Sequence, residues 1–305
     1  MGLRRQRAWS HFSSLRGNSD MPIDADRLLG YQVPEVRQTY TSHQSAFYAL
    51  TTGMAQNPLD QRHLDFVDPN RGDAQRVLPS MALILGYPGF WLVRPDTTVD
   101  PTRVLHGTQE IEWHRELPAS GEVFGRTRVT KLVDHGEGKH AMVQSEREIV
   151  DAGTGERYAT LRQVHVLRGQ GGFGGDSSSL PAAHVIPDSA PDMTADVQTR
   201  PEHALLYRLN GDLFALHADP EMAARSGFPR PILHGMCVAG IATQVLMRLL
   251  AADNPVRMRA LQLRFSAVVY PGETVRIEAW RDGSFRARVV ERNEVVLENG
   301  YVLVE

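Results

Sequence analysis

The sequence predicts an α+β fold in which antiparallel strands curl around a buried helix, the arrangement being written twice in one chain. Three observations predict it. Residues 235–252 read as a helix apolar nearly all round. Met236, Val238, Ile241, Val245, Leu246 and Leu249 are set against a narrow polar face of Thr243, Gln244 and Arg248; such a helix belongs in an interior. Downstream, Val275, Ile277 and Ala279 alternate with Thr274, Arg276 and Glu278, the chain turns at Asp282-Gly283, and Phe285, Ala287 and Val289 continue the inward face. That is a hairpin with one buried side. Finally, three landmarks recur in the same order about 150–160 residues apart. AFYALTTG at 46–53 answers ALLYRLNG at 204–211, VLPSM at 77–81 answers ILHGM at 232–236, and LPASGEV at 117–123 answers VYPGETV at 269–275. Two copies are too few for a solenoid and suit two similar units packed as an internal pseudo-dimer.

Residues 1–20 carry Arg4, Arg5, Arg7 and Arg16, several serines and no acid before Asp20, with Leu3, Trp9, Phe12 and Leu15 at helical spacing. They fit a disordered extension, an upstream start with Met21 as the working one, or a mitochondrial transit peptide; they lack the apolar run of a secretory signal. The first unit spans 21–168. It holds a short helix at Ser42–Leu50, a strand through Val123, Gly125, Thr127 and Val129, a loop at Asp134–Lys139, and strands at His140–Val150 and Ala159–Arg168. Residues 169–193 are a Gly/Ser/Pro-rich linker. Within it Gly169-x-Gly171-x-x-Gly174 matches a dinucleotide fingerprint, but a Ser/Pro-rich stretch follows where that fingerprint needs a helix. The match is spurious. The second unit spans 194–305, with a short helix at Pro201–Leu209, a helix at 220–226 opened by Asp219-Pro220-Glu221, the buried helix and the hairpin.

Composition narrows the function. The 33 basic and 36 acidic residues leave a net charge of −3, which lacks the field that phosphate-backbone binding requires, so nucleic acid is an unsuited partner. Only Lys131 and Lys139 are lysines, so Schiff-base chemistry has little to work with. The single cysteine, Cys237, permits no intrachain disulfide and suggests a reducing compartment, the cytoplasm or, if residues 1–20 are a transit peptide, the mitochondrial matrix. No apolar run approaches the length of a membrane span.

The chemistry concentrates in YRLNGDLFALHADPEMAARSGFPRPILHGMC at 207–237. Asp212 and His217, five residues apart on an irregular segment, can together hold and activate one water, the carboxylate as base and the imidazole as proton partner; such groups contribute about 10²–10⁴ in rate. The plainer reading is a turn-capping Asp and a surface His. Leu233-His234-Gly235 opens the buried helix, where free backbone N–H groups and the positive dipole end suit an oxyanion hole for a thioester carbonyl. A tight helix entry alone would explain the pair equally. Leu105-His106-Gly107 has the same letters with no helix behind it. At the first unit's equivalents, Met54 stands for Asp212 and Pro79-Ser80 for His234-Gly235, so the acid–base pair and the glycine donor are absent together.

Together YRL-x-GD, LH-x-DP and FPRPILHG resemble the MaoC-like, (R)-specific 2-enoyl-CoA hydratases, in particular the hydratase-2 domain of peroxisomal multifunctional enzymes and its bacterial relatives. LHG-x-Q at 105–109, LPASGE at 117–122, RGQGGFGG at 168–175 and VYPGET at 269–274 extend the likeness from about residue 26 to the C-terminus. The resemblance implies a double hot-dog fold with a catalytic second half and an acyl-binding first half. It implies syn hydration of a trans-2-enoyl-CoA to a (3R)-3-hydroxyacyl-CoA without cofactor or metal. Asp212 and His217 would bind the water and the Gly235 N–H the thioester oxygen. Phe214, His234 and Thr108 are further candidates for substrate contact, Arg230 and Arg168 for the CoA phosphates, and a homodimer is expected by analogy. The chain departs from the family at two places: Phe214-Ala215 replaces an Asn two residues after the acid, and Thr108 replaces Glu in LHG-E-Q. The competing functions are a hot-dog acyl-CoA thioesterase and a non-catalytic acyl-CoA-binding homologue.

Overall fold

The computed structural model describes residues 23–174 and 180–305; the expectations for residues 1–20, and for the linker at 175–179, lie outside it. The first half runs α1 (Ala25–Leu29), β1 (Val36–Tyr40), α2 (Ser42–Leu50), α3 (Leu64–Val67), β2 (Val104–Trp113), β3 (Gly121–Asp134), β4 (Ala141–Asp151) and β5 (Arg157–Leu167). The second runs β6 (Met193–Gln198), α4 (His203–Tyr207), α5 (Pro220–Arg225), α6 (Gly235–Ala251), β7 (Met258–Phe265), β8 (Thr274–Ala279), β9 (Ser284–Val289) and β10 (Glu294–Val304).

All ten strands form one antiparallel sheet in the order β1-β3-β4-β5-β2-β7-β10-β9-β8-β6. Read outward from the β2–β7 seam, the two halves repeat the same connectivity, β2 answering β7 and β1 answering β6. The seam pairs Thr108 with Arg264 through Glu112 with Ala260. The alternation read from the hairpin holds: Val275, Ile277, Ala279, Phe285, Ala287 and Val289 are each fully buried. Gly283 supplies the positive φ of 93° that the turn demands. Local signals also set the helix starts. Thr41 and Gln44 form a capping box on α2, and the Asp219 carboxylate accepts the Glu221 N–H ahead of Pro220.

α6 carries the core. From Cys237 to Met247 every residue is buried, and full burial of one Leu, Ile or Val side chain is worth about 1.5–3 kcal/mol. The helix crosses α2 so closely that a Cβ on Gly240 would meet Thr52 at 2.5 Å and the Tyr48 hydroxyl at 3.1 Å. The first half has no counterpart. Where VLPSM stands, a 3-10 turn of five residues, Pro79–Leu83, is all that forms. Gly86, at a φ of 55°, and the Pro88-Gly89 pair end it before a second helical turn accumulates. The expected two sheets are therefore joined at the β2–β7 seam into one, and only the second half's strands pack on a long helix.

Gly171 and Gly174 of the spurious fingerprint have a structural use, together with Gly136 and Gly172. The Asp134 carboxylate at the end of β3 accepts N–H groups of Gly136, Gly172 and Gly174 at 2.8–2.9 Å. A Cβ on Gly171 would lie 2.5 Å from the Gly136 carbonyl oxygen.

Candidate active site

Gly211, at a φ of 121°, ends the turn after α4 and releases the chain into the loop carrying Asp212 and His217. The Asp212 carboxylate accepts the Phe214 N–H at 3.1 Å, so the turn-capping role is real. It is not the whole role, because Asp212 also lines a cavity of about 320 Å³, within the usual size range of small-molecule sites. Arg208 steadies the loop by donating to the Leu213 carbonyl at 2.9 Å.

His217, at the end of a 3-10 turn over Ala215–His217, donates from Nδ1 to the Ile232 carbonyl at 2.9 Å. That bond fixes the neutral tautomer with an unprotonated Nε2. Its ring stacks on His234 with centroids 3.7 Å apart and an interplanar angle of 23°. His234, immediately before α6, donates from Nε2 to the Asp212 backbone carbonyl at 3.2 Å, and its Nδ1 has no partner among the described residues. A carboxylate oxygen of Asp212 and one ring nitrogen from each histidine lie within 4.8 Å of one another. Burial lowers the His217 pKa, although the Asp212 charge pulls it back; burial and the neighbouring His217 push His234 down to about 2. Both rings are neutral near pH 7. The three ligand atoms are close enough together to share one metal ion or one water.

Gly235 opens α6 on the same cavity. As the first helical residue its N–H has no intrahelical partner. A Cβ here would lie 3.0 Å from the Phe265 ring, so the glycine relieves a tight contact as well as being available for chemistry. Phe214 also lines the cavity, its ring centroid 6.2 Å from that of His217 and 6.4 Å from that of Phe90.

The structure thus brings Asp212, His217, His234, Gly235 and Phe214 together. Three other candidates lie elsewhere. Thr108 sits in β2 on the seam and is not among the cavity-lining residues, a register shift separating it from His106. Arg230 is exposed, donates to the Pro271 carbonyl at 3.2 Å and covers the Tyr270 ring. Arg168 is exposed just beyond β5, its backbone N–H on the Arg103 carbonyl. Among the cavity residues to which the sequence assigns no role are His106, met only within LHG-x-Q, and His165, one histidine in an ordinary strand. Only the pairing of β2 with β5 puts them side by side.

The ten-stranded sheet with a long helix packed on its second half defines a double hot-dog protein. The family comparisons agree. Residues 183–302 match the MaoC-like domain and residues 38–169 the MFE-2 hydratase 2 N-terminal domain. The chain belongs to the MaoC-like family, in its hydratase-2 branch, and is a hydro-lyase. It is 37% identical over 300 residues to the peroxisomal enoyl-CoA hydratase 2 of Arabidopsis thaliana, covering 93% of this chain and 96% of that one. It is 38% identical over 282 residues to 3-hydroxyacyl-thioester dehydratase Y of Mycobacterium tuberculosis, covering 92% and 94%. Among solved structures, a MaoC-like dehydratase from Phytophthora capsici superposes with a TM-score of 0.81 at 30% identity, over 93% of this chain and 99% of that one. A Mycobacterium tuberculosis protein described as a double hotdog shares the fold at a TM-score of 0.55 and 16% identity, over 89% and 94%. Among the described residues no helix is long and apolar enough to cross a membrane.

Proposed function

We propose that this site catalyses the reversible syn hydration of a trans-2-enoyl-CoA to a (3R)-3-hydroxyacyl-CoA. The observation that carries the reading is the meeting, on one cavity, of Asp212, His217 and the open end of α6. The names of the relatives support the substrate class, and the family resemblance supports the (3R) outcome.

The tautomer of His217 sharpens the roles. With Nδ1–H committed to Ile232, Nε2 is an acceptor, and the Asp212 carboxylate is another. One water donates a hydrogen to each and presents its own lone pair to C3 of the enoyl thioester. As the C3–O bond forms, the C2=C3 electrons move into the thioester carbonyl. The Gly235 N–H meets the resulting enolate oxygen, a donor of a kind worth about 10²–10³ in rate. His217 Nε2 takes one proton from the water and returns it to C2 from the same face, which makes the addition syn. Dehydration is the reverse. The atoms balance with water as sole co-substrate, so the reaction calls for no redox cofactor. The first half would take the acyl chain, and a homodimer is the assembly expected by analogy.

Incubation with crotonyl-CoA or decenoyl-CoA tests the reading, following loss of the conjugated thioester, the configuration at C3, and free thiol. Chiral 3-hydroxyacyl-CoA without thiol release is expected. Thiol release without hydration would make the protein a thioesterase, and binding with neither would make it a non-catalytic acyl-CoA-binding protein.

A further inference from the structure

The cavity wall contributed by the first half carries a second pair of imidazoles that hydration leaves unused. His106 on β2 and His165 on β5 are opposed in the strand register, and their rings stack with centroids 4.9 Å apart. Both line the cavity. His106 donates from Nε2 to the Thr108 carbonyl at 3.0 Å, which leaves Nδ1 as an acceptor. His165 is 7% exposed, and its Nδ1 has no hydrogen-bond partner among the described residues. Around them the wall is apolar apart from Gln163, whose amide donates to the Gln109 side-chain oxygen at 2.9 Å. The Phe90 ring lies 5.7 Å from His165 and the Phe265 ring 4.7 Å from His106, with Val104 and Leu105 alongside.

A pocket for plain methylene groups has no use for such a pair, because a buried imidazole nitrogen without a partner lowers stability and apolar residues would line the wall better. The position is also telling. Phe265 touches both His106 and the Cβ direction of Gly235, so the pair sits about one aromatic ring beyond the helix start where the thioester oxygen is placed. Phe90 likewise stands between His165 and Phe214. Burial holds His165 at about 4, and burial together with the neighbouring His165 holds His106 well below its ordinary value. Toward the cavity, neutral His106 offers the Nδ1 acceptor and neutral His165 a ring nitrogen that donates or accepts according to its tautomer, which suits an uncharged oxygen and disfavours a carboxylate.

We propose that His106 and His165 are a recognition site for an oxygenated acyl chain, so that the substrate of this enzyme carries a hydroxyl or keto oxygen beyond the reacting double bond. This rests on the hydratase reading of the same cavity and names its substrate class.

The test uses matched trans-2-enoyl-CoAs of equal chain length, one unsubstituted, one with a hydroxyl and one with a keto group on the acyl tail, the substituted carbon varied along the chain. Two quantities are read: kcat/KM for hydration, and calorimetric binding of the corresponding saturated acyl-CoAs. The wild-type protein is expected to favour an oxygenated member by at least about tenfold, one hydrogen bond's worth. His165→Phe keeps a ring and removes both nitrogens, so the ratio should fall to about one. His165→Asn restores a donor and an acceptor and should recover part of it. No preference in the wild-type protein, or a preference that survives His165→Phe, overturns the inference. Binding keeps the two ideas separable: oxygen selectivity without hydration of any member refutes the hydratase reading alone, while hydration without selectivity refutes the oxygenated substrate alone.

Discussion

The two halves share a strand plan and differ most at the positions that matter for chemistry. In the second half, His234 and Gly235 open a 17-residue helix, and Asp212 and His217 face the space before it. At the matching place in the first half, Pro79 and Ser80 open a five-residue turn whose first two carbonyls are already engaged. The Trp113 indole donates to the Pro79 carbonyl at 2.9 Å and the Tyr48 hydroxyl to the Ser80 carbonyl at 2.8 Å. Met54, in the place of Asp212, is buried against the core. At this position the first half offers no open helix start, whereas in the second half a helix start and a loop keep their polar groups facing a cavity.

The comparison breaks most sharply on the acid–base pair. Asp212→Asn keeps the shape and removes the charge, and His217→Ala removes Nε2. Each is expected to lower kcat for hydration by about 10³-fold or more, toward the upper end of what such groups supply. Circular dichroism should report an intact fold for both. Wild-type rates in both variants would move the site elsewhere and leave the halves functionally equivalent.

Gly235→Ala against Ser80→Ala compares the two turn openings directly. A methyl at 235 meets the Phe265 ring at 3.0 Å, so ring or helix start must shift by a few tenths of an ångström. A fall of about 10–100-fold in kcat/KM is expected, a fraction of the loss of an oxyanion donor. Ser80 is fully buried and its hydroxyl has no partner among the described residues, so Ser80→Ala should leave the rate within about twofold. Equal losses from both would show that position 235 matters for packing alone.

Both halves bury histidines in the cavity, and pH reveals their shares. His165, at about 4 in the folded protein against 6.5 when unfolded, stays neutral where the unfolded chain takes up a proton. Its contribution is present above pH 6.5 and is lost as pH falls toward 4. Between pH 6.5 and 5 the loss is about 2 kcal/mol for this one group. His217, His234 and His106 shift in the same direction and steepen the decline. Urea unfolding at pH 7 and pH 5 should show the drop, and His165→Phe should flatten it. An unchanged slope in that variant would mean His165 is already solvated.

How much of this was legible follows from how local each feature is. The α6 periodicity, the β8–β9 alternation and the Asp219 cap are written over a few residues, and each formed where the pattern placed it. The loop from Asp212 to Gly235 was legible as one segment because its own chain brings the groups together. The stack of His106 on His165 comes from residues nearly sixty positions apart, joined only by strand pairing. The missing first helix was hidden because VLPSM reads like ILHGM until Gly86 and Pro88 are seen to stop it. Thr108 and Arg230 show the converse: a motif position fixes the backbone, but strand register and a nearby carbonyl decide where the side chain goes.

The smallest expected effect concerns Phe214, where the resemblance places Asn. An amide there would give the water proposed to sit on Asp212 and His217 another hydrogen-bond partner, while Phe214 contributes edge contacts with Phe90 and His217. Aromatic contacts of this kind are worth about 0.5–1.5 kcal/mol each, so Phe214→Asn should lower the melting temperature by a few degrees. On short, unsubstituted enoyl-CoAs the gained partner should outweigh the lost packing and raise kcat about two- to fivefold, since a typical net hydrogen bond is worth about 1 kcal/mol. A further fall in kcat would mean that the ring does not displace a useful amide but shapes the cavity for the enzyme's own acyl group. Repeating the measurement with an oxygenated chain then decides whether Phe214 and the His106–His165 pair act on one substrate. If they do, Phe214→Asn should erode selectivity together with rate.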